Sequence, residues 1–293
     1  LAATVYPLTL AAVVAATLLG LHQGLPPPAI AAALAVLVAG WLFALEQLAP
    51  YRPEWNRPQR DVGVDLAFTL LCTAPVPLLV RAATFGGLAA GAAALARAWG
   101  ASLWPQGLPL LAQLALALLV AELGQYWVHR LGHTLPLLWR LHAMHHSVPR
   151  LYWLNAGRFH PLDTLLQYSA EVMPLVLLGA GPELLALYTT FTAANGALRH
   201  ANIDQRVGPL SWLLSTADLH RWHHSARLEE ANANYGANLI VWDVLFGTRR
   251  SPAHAPHPAA LGLQDAPGFP MDFVGQLASP FRPEPRPARE KPA

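Results

Sequence analysis

The sequence predicts an all-α membrane protein: about four transmembrane helices, a re-entrant helical hairpin and a cytoplasmic histidine-rich helical cap. Three observations predict it. Of the 293 residues, 54% are hydrophobic and 12% charged, whereas a soluble domain carries roughly 25% charged residues. Four segments approach the roughly 20 apolar residues that cross a bilayer. Ten of the thirteen histidines fall between His129 and His224. The formal net charge of +2 makes no case for a nucleic-acid partner. The single cysteine, Cys72, excludes an internal disulfide and a site built on several thiolates.

The first expected span runs from about Val5 to Leu21. It has no basic start and no small-residue cleavage site, so it reads as a span and not a signal peptide. The second runs from Ala29 to Leu48. The third, Val64 to Val80, contains Pro75 and Pro77, which kink it or end it early. The Ala/Gly-rich stretch Ala82 to Trp99 is too weak for a span, and the fourth span is Leu108 to Trp127. The apolar region Leu165 to Leu198 is divided by Gly179-Ala180-Gly181-Pro182 into halves that are each short for a crossing. A hairpin that dips into the membrane and returns fits it. Residues 1–107 are thus expected as N-terminal transmembrane helices and residues 108–250 as the histidine-rich catalytic domain. Residues 251–293 are expected as a Pro-rich tail, solvated from Arg282 to Ala293.

Arginine placement orients the spans. Arg52, Arg57 and Arg60 follow span two, and Arg130, Arg140, Arg150 and Arg158 follow span four. The connector Gly20 to Pro28 has neither Lys nor Arg. Positive loops stay inside, so the histidines are expected to face the cytoplasm from a bacterial inner membrane. Arg81 and Arg97 run against the pattern.

The histidines recur in boxes: His129-Arg-Leu-Gly-His133, His142-Ala-Met-His145-His146 and His220-Arg-Trp-His223-His224, with His160 and His200 single between the last two. On a helix, residues at i, i+3 and i+4 share a face, so facing helices can converge imidazoles in a bundle core. At this histidine frequency about 0.03 matches to His-x-x-His-His are expected by chance, and the chain holds two. The number of imidazoles exceeds what one tetrahedral metal uses, which points to two metals. Neutral imidazole suits zinc, copper, iron and nickel alike. Zinc is limited to hydrolytic or Lewis-acid work, while a redox-capable pair beside an apolar cavity suits oxygen attack on an unactivated C–H bond. A lone histidine is more commonly a capping or interfacial residue, the role expected for His22, His254 and His257.

At these residues the chain resembles the fatty acid hydroxylase and sterol desaturase superfamily. The resemblance extends from Glu122 to Thr248 and includes Phe159-His160-Pro161, Asn234-Tyr235-Gly236 and Trp242-Asp243-Val-Leu-Phe-Gly247-Thr248. It implies two Fe ions, which zinc can replace on purification, and O2 as co-substrate. It further implies hydroxylation, desaturation or ether-bond oxidation of a lipid such as a sterol, carotenoid, fatty acyl chain or alkyl ether. Reducing equivalents would come from a separate electron-transfer partner of ferredoxin or cytochrome type. The implied metal ligands are His129, His133, His142, His145, His146, His160, His200, His220, His223 and His224, with no catalytic residue beyond them. Glu122 and Gln125, one to two turns before His129, are candidates to support the site from the membrane side. Asn202, Asp218, Asn234 and Asp243 are candidates to accept from the distal imidazole N–H. Trp127, Trp139, Trp212, Trp222 and Trp242 are expected as interfacial anchors. Glu171, an acid in an apolar half-helix, is a functional candidate by its position. The rival reading is a membrane metal-binding or transport protein without oxygen chemistry.

Overall fold

The computed structural model describes residues 2–76, 103–251, 257–264 and 268–282, and single positions 79, 91, 94, 98 and 266. The expectations for Arg81, Ala82 to Trp99, His254 and residues 283–293 lie outside the described residues. Those residues are mostly helical, with isolated β-bridges and no strand.

Helix α1, Val5–His22, and α2, Pro27–Leu48, form an antiparallel pair. A proline at the first position of α2 loses no hydrogen bond and presets its φ. With Leu110–Thr134 (called α4 below), these are the three helices among the described residues that are long and apolar enough to cross a membrane. The expected third span is different. Helix α3 covers Val62–Ala67 and continues as a π-helical turn, Phe68–Thr73. That apolar stretch is short for a crossing. Pro75 and Val76 are helical again after the π turn, and the remainder of the expected span to Val80 lies largely outside the described residues.

Helix α4, Leu110–Thr134, runs two turns past the expected end of span four, so its last turns carry His129 and His133. Helix α5, Pro136–His146, starts on a proline immediately after it. Helices α6, Pro161–Leu178, and α7, Pro182–His200, are joined through Gly179 in the left-handed region at φ 94°. Short helices α8 (Ala217–His223), α9 (Leu228–Ala231), α10 (Val241–Leu245) and α11 (Phe273–Ala278) complete the cap.

One apolar core unites these helices, with Tyr6 and Leu10 of α1, Leu42 of α2, Leu118 of α4, Leu175 of α6 and Leu187 of α7 all buried. Two polar ties lock α1 to α7: Tyr6 donates to Asn195 Oδ1 at 2.5 Å, and Thr17 meets Thr190 at 2.9 Å. Lipid is the solvent that the opposite faces require. Val36, Leu37, Phe43 and Leu48 of α2 all point outward, Leu48 at 82% exposure. The expected C-terminal tail is partly folded. Gln276 of α11 is fully buried and donates to Ser147 Oγ at 3.0 Å, and Phe273 packs on Phe68.

Candidate metal centre

Nine histidines converge in two groups. His129, His133, His142, His146 and His223 form one, and His145, His200, His220 and His224 form the other. Within each group, the nearest ring nitrogens all lie within 4.8 Å of one another. The groups abut, since His146 stacks on His224 at 4.5 Å and His145 lies 4.7 Å from it. His160 belongs to neither. Its Nδ1 accepts from the Leu162 amide as a helix cap, and its Nε2 faces the Leu277 carbonyl at 3.3 Å.

The boxes do not each serve one group. On α5, His142 and His146 join the first group and His145 the second. On α8 and its C-cap, His220 and His224 join the second and His223 the first. The helical angle accounts for this: relative to residue i, i+4 is rotated by about +40° and i+3 by about −60°. Each His-x-x-His-His box therefore reaches to both sides.

Acceptors on the far side of the rings set their orientation. His142 Nδ1 donates to Asp163 Oδ2 at 2.7 Å and His200 Nδ1 to Asn155 Oδ1 at 2.9 Å. His133 Nδ1 donates to Asn232 Oδ1 at 3.2 Å. Backbone carbonyls take three more: Tyr235 for His129 (2.6 Å), Arg158 for His145 (3.1 Å) and Ala233 for His223 (2.8 Å), while Nδ1 of His220 and of His224 is buried without a partner. In these six rings, with Nδ1 committed as a donor, Nε2 carries the lone pair.

These lone pairs approach too closely to be left facing each other. Nε2 of His142 is 3.1 Å from Nε2 of both His129 and His146. Nε2 of His220 is 2.9 Å from that of His200 and 3.1 Å from that of His224. Nε2 of His133 and of His223 is buried with no protein partner. Cations at the centre of each group satisfy all of these atoms, so the residues present fit two metal ions. Burial first, then charge on neighbouring rings and on Arg199, holds His145, His146, His220, His223 and His224 well below the usual histidine range. Neutral imidazole is the ligating form.

The loops that carry the acceptors are themselves anchored. Arg150 forks onto Asp61 at 2.6 and 2.8 Å, and Arg158 pairs with Asp65, both pairs buried. Asp65 also accepts from the Tyr152 hydroxyl. These ties fix residues 150–158, which supply the acceptors for His145 and His200. On the other side, Glu122 accepts from the amides of Ala237, Asn238 and Leu239, and Asp243 from those of Tyr235 and Gly236. Asn234, at φ 56°, accepts from the Arg250 amide and donates to the Leu219 carbonyl.

None of the four residues expected to accept from an imidazole does so, and Glu122 touches no imidazole either. Glu122, Asn234 and Asp243 instead hold the 233–239 loop, whose carbonyls do. Asn202 ties the Arg52 backbone and Asn56 to the end of α7. Asp218 accepts from Thr216. Gln125 reaches the centre through a relay: it donates to Gln167, which donates to Asp163. Sequence reasoning missed Asp163, Asn155 and Asn232. Asp163, three residues after His160 in a helix's first turn, had only the signal of an ordinary helix-start acid.

Of the five tryptophans, Trp127 and Trp212 are exposed, while Trp222 is buried. His257 lies against Arg52, with Nδ1 2.8 Å from Nη2.

Residues 114–248 match the family model described as fatty acid hydroxylase. Among curated proteins, an ornithine lipid hydroxylase of Rhizobium tropici is 41% identical over 237 residues, covering 80% of this chain and 71% of that protein. An alkylglycerol monooxygenase of Danio rerio is 33% identical over 141 residues, 45% of this chain and 29% of the relative. A Δ7-sterol-C5(6)-desaturase of Nicotiana tabacum is 34% identical over 142 residues, 47% of this chain and 49% of the relative. No solved structure matches.

Proposed function

The chain belongs to the fatty acid hydroxylase family of oxidoreductases, and from that premise we propose that it oxidises a C–H bond of a membrane lipid with O2 at a centre of two iron ions. The observation that carries the reading is the pair of abutting histidine groups with inward lone pairs. When bound, the irons supply the redox equivalents that activate O2, which zinc does not.

The ligands proposed for one ion are His129, His133, His142, His146 and His223, and for the other His145, His200, His220 and His224. Two box members, His145 and His223, join the group opposite their box-mates, so each proposed ion ties α5 to α8. Asp163, paired with His142, fixes that ring's tautomer and orientation. The buried ring cluster and Phe159, stacked on His145 at 3.9 Å, exclude water from the side that faces the cavity described below. His160 is proposed as a positioning residue that caps α6, the helix that presents Asp163.

Lipid substrate fits a protein whose relatives are lipid hydroxylases and whose helices expose apolar faces. The orientation with the histidines in the cytoplasm of a bacterial inner membrane rests on the arginine pattern. A separate electron-transfer partner is proposed to deliver electrons there.

Oxygen uptake by detergent-purified, iron-reconstituted protein tests the reading, with a ferredoxin-type reductant and a total lipid extract. Lipid-dependent uptake, with a product gaining one oxygen atom or losing two hydrogens, is expected. Iron-loaded protein that takes up no O2 with any lipid fraction would favour metal binding or transport instead.

A further inference from the structure

A cavity of about 400 Å³ lies between α1, α2, α6 and α7, and its two ends differ in chemistry. Val13 of α1 and Leu34, Ala35 and Val38 of α2 make the outer end apolar. The inner end borders the histidines: Gln125 precedes His129 by about one turn, Arg199 adjoins His200, and Gln167 bonds the Asp163 that holds His142.

That inner end is polar and unsatisfied. Arg199 is half-buried and commits one nitrogen to the Gly236 carbonyl at 3.0 Å, but its buried Nε has no partner. Nδ2 of Asn238 and Oε1 of Gln125 are likewise buried without partners, and both residues line the cavity. Glu171 also lines it, with one carboxylate oxygen accepting from the Tyr188 hydroxyl at 3.3 Å. Two donors, Arg199 and Asn238, thus line the cavity together with two acceptors, Gln125 and Glu171. A hydrocarbon chain or sterol ring placed there leaves Arg199 Nε, Asn238 Nδ2 and Gln125 Oε1 dry and unpaired, which is costly. A guanidinium with its Nε buried and a buried carboxyl group together suit a ligand bearing both signs.

We propose that this inner end is a head-group site for a zwitterionic lipid. An anionic oxygen of the head group meets Arg199 and the Asn238 amide, and its ammonium or amide N–H meets Glu171 and Gln125. The apolar end receives the start of the acyl chain between α1 and α2. This inference deepens the lipid-oxidation reading and rests on it for the identity of the ligand as substrate, but the site is tested by binding alone.

The test is lipid binding to metal-free, detergent-purified full chain, followed by native mass spectrometry. Three probes share the same acyl chains: an N-acyl amino-acid lipid with free carboxylate and ammonium, phosphatidylethanolamine, and uncharged diacylglycerol. At least one zwitterion is expected to bind about tenfold more tightly than diacylglycerol. Whether the carboxylate or the phosphate lipid binds more tightly names the source of the anion. The preference is expected to collapse in Arg199→Gln and in Glu171→Gln, the latter keeping the size and shape of its side chain. Equal binding of all three lipids by the wild type overturns the proposal, as does a preference that survives in a folded Glu171→Gln protein. Failure of the two readings is distinguishable. Lipid-dependent O2 uptake without head-group preference removes the head-group site and leaves the oxidase, whereas preference in a protein that takes up no O2 does the reverse.

Discussion

His145 is the residue on which the division between the two groups is easiest to read, because it sits between His142 and His146 in sequence yet faces the other group. Changing it to Ala is expected to remove one ion's ligand, abolish turnover and leave the helices inserted; retained activity would refute the ligand assignment. Asp163→Asn keeps the size but not the charge that orients His142. A loss of metal affinity of about 10–100-fold is expected, read by chelator competition, and unchanged affinity would show that the contact does not tune the ligand. The depressed histidines also make stability depend on pH. Unfolded histidine titrates near 6.5, while His145, His146, His220, His223 and His224 stay neutral to lower pH in the fold. Below that value the unfolded chain takes up protons that the folded chain refuses. The melting temperature of metal-free protein should therefore fall as pH drops through about 6.5 toward the depressed folded values, with no contribution from these groups above it. A flat profile across that window would contradict the burial of neutral rings. The boxes themselves were legible because histidine at spacings of three and four is rare and has one helical meaning. Which ring faces which group was not, since it depends on how α4, α5 and α8 cross. Their hydrogen-bond acceptors were illegible for a different reason: three are backbone carbonyls, which no side-chain identity reports.

Among the elements, α4 joins the membrane to the metal centre, since a single helix both spans and presents His129 and His133. Its distance from α6 is set by Gly124, where a Cβ would overlap the Ala170 carbonyl. Gly124→Leu is expected to force the two helices apart and lower both stability and metal retention, while the same change at exposed Gly40, with open space around it, should be nearly silent. Equal effects at both positions would deny that close packing sets the site. Helix α3 acts differently, through the ion pair of Asp65 with Arg158. Asp65→Asn leaves a buried guanidinium without its charge partner, a loss of about 3–5 kcal/mol, measurable as a fall in melting temperature. Helices α1, α2 and α4 were legible from apolar length. The hairpin α6–α7 was expected as two short halves, yet it folds as helices of 18 and 19 residues. Gln167, Glu171, Thr190 and Thr192 dilute its hydropathy because they face a cavity and not lipid. The expected third span is helical from Val62 to Thr73, through a π turn, and the rest of it lies largely outside the described residues.

At the scale of the whole molecule, the exposed apolar helices, the cavity and the histidine centre form one sequence of environments from lipid to metal. That ordering makes the number of ions bound the central quantity, because five and four inward rings are an arrangement for two metals and an excess for one. Iron per chain, measured after anaerobic reconstitution of the metal-free protein with ferrous iron and removal of loosely held metal, tests it directly. The account predicts about two irons per wild-type chain and about one when His200 and His220 are both changed to Ala. A wild-type chain that retains one iron or none, or a double variant that still holds two, would contradict it.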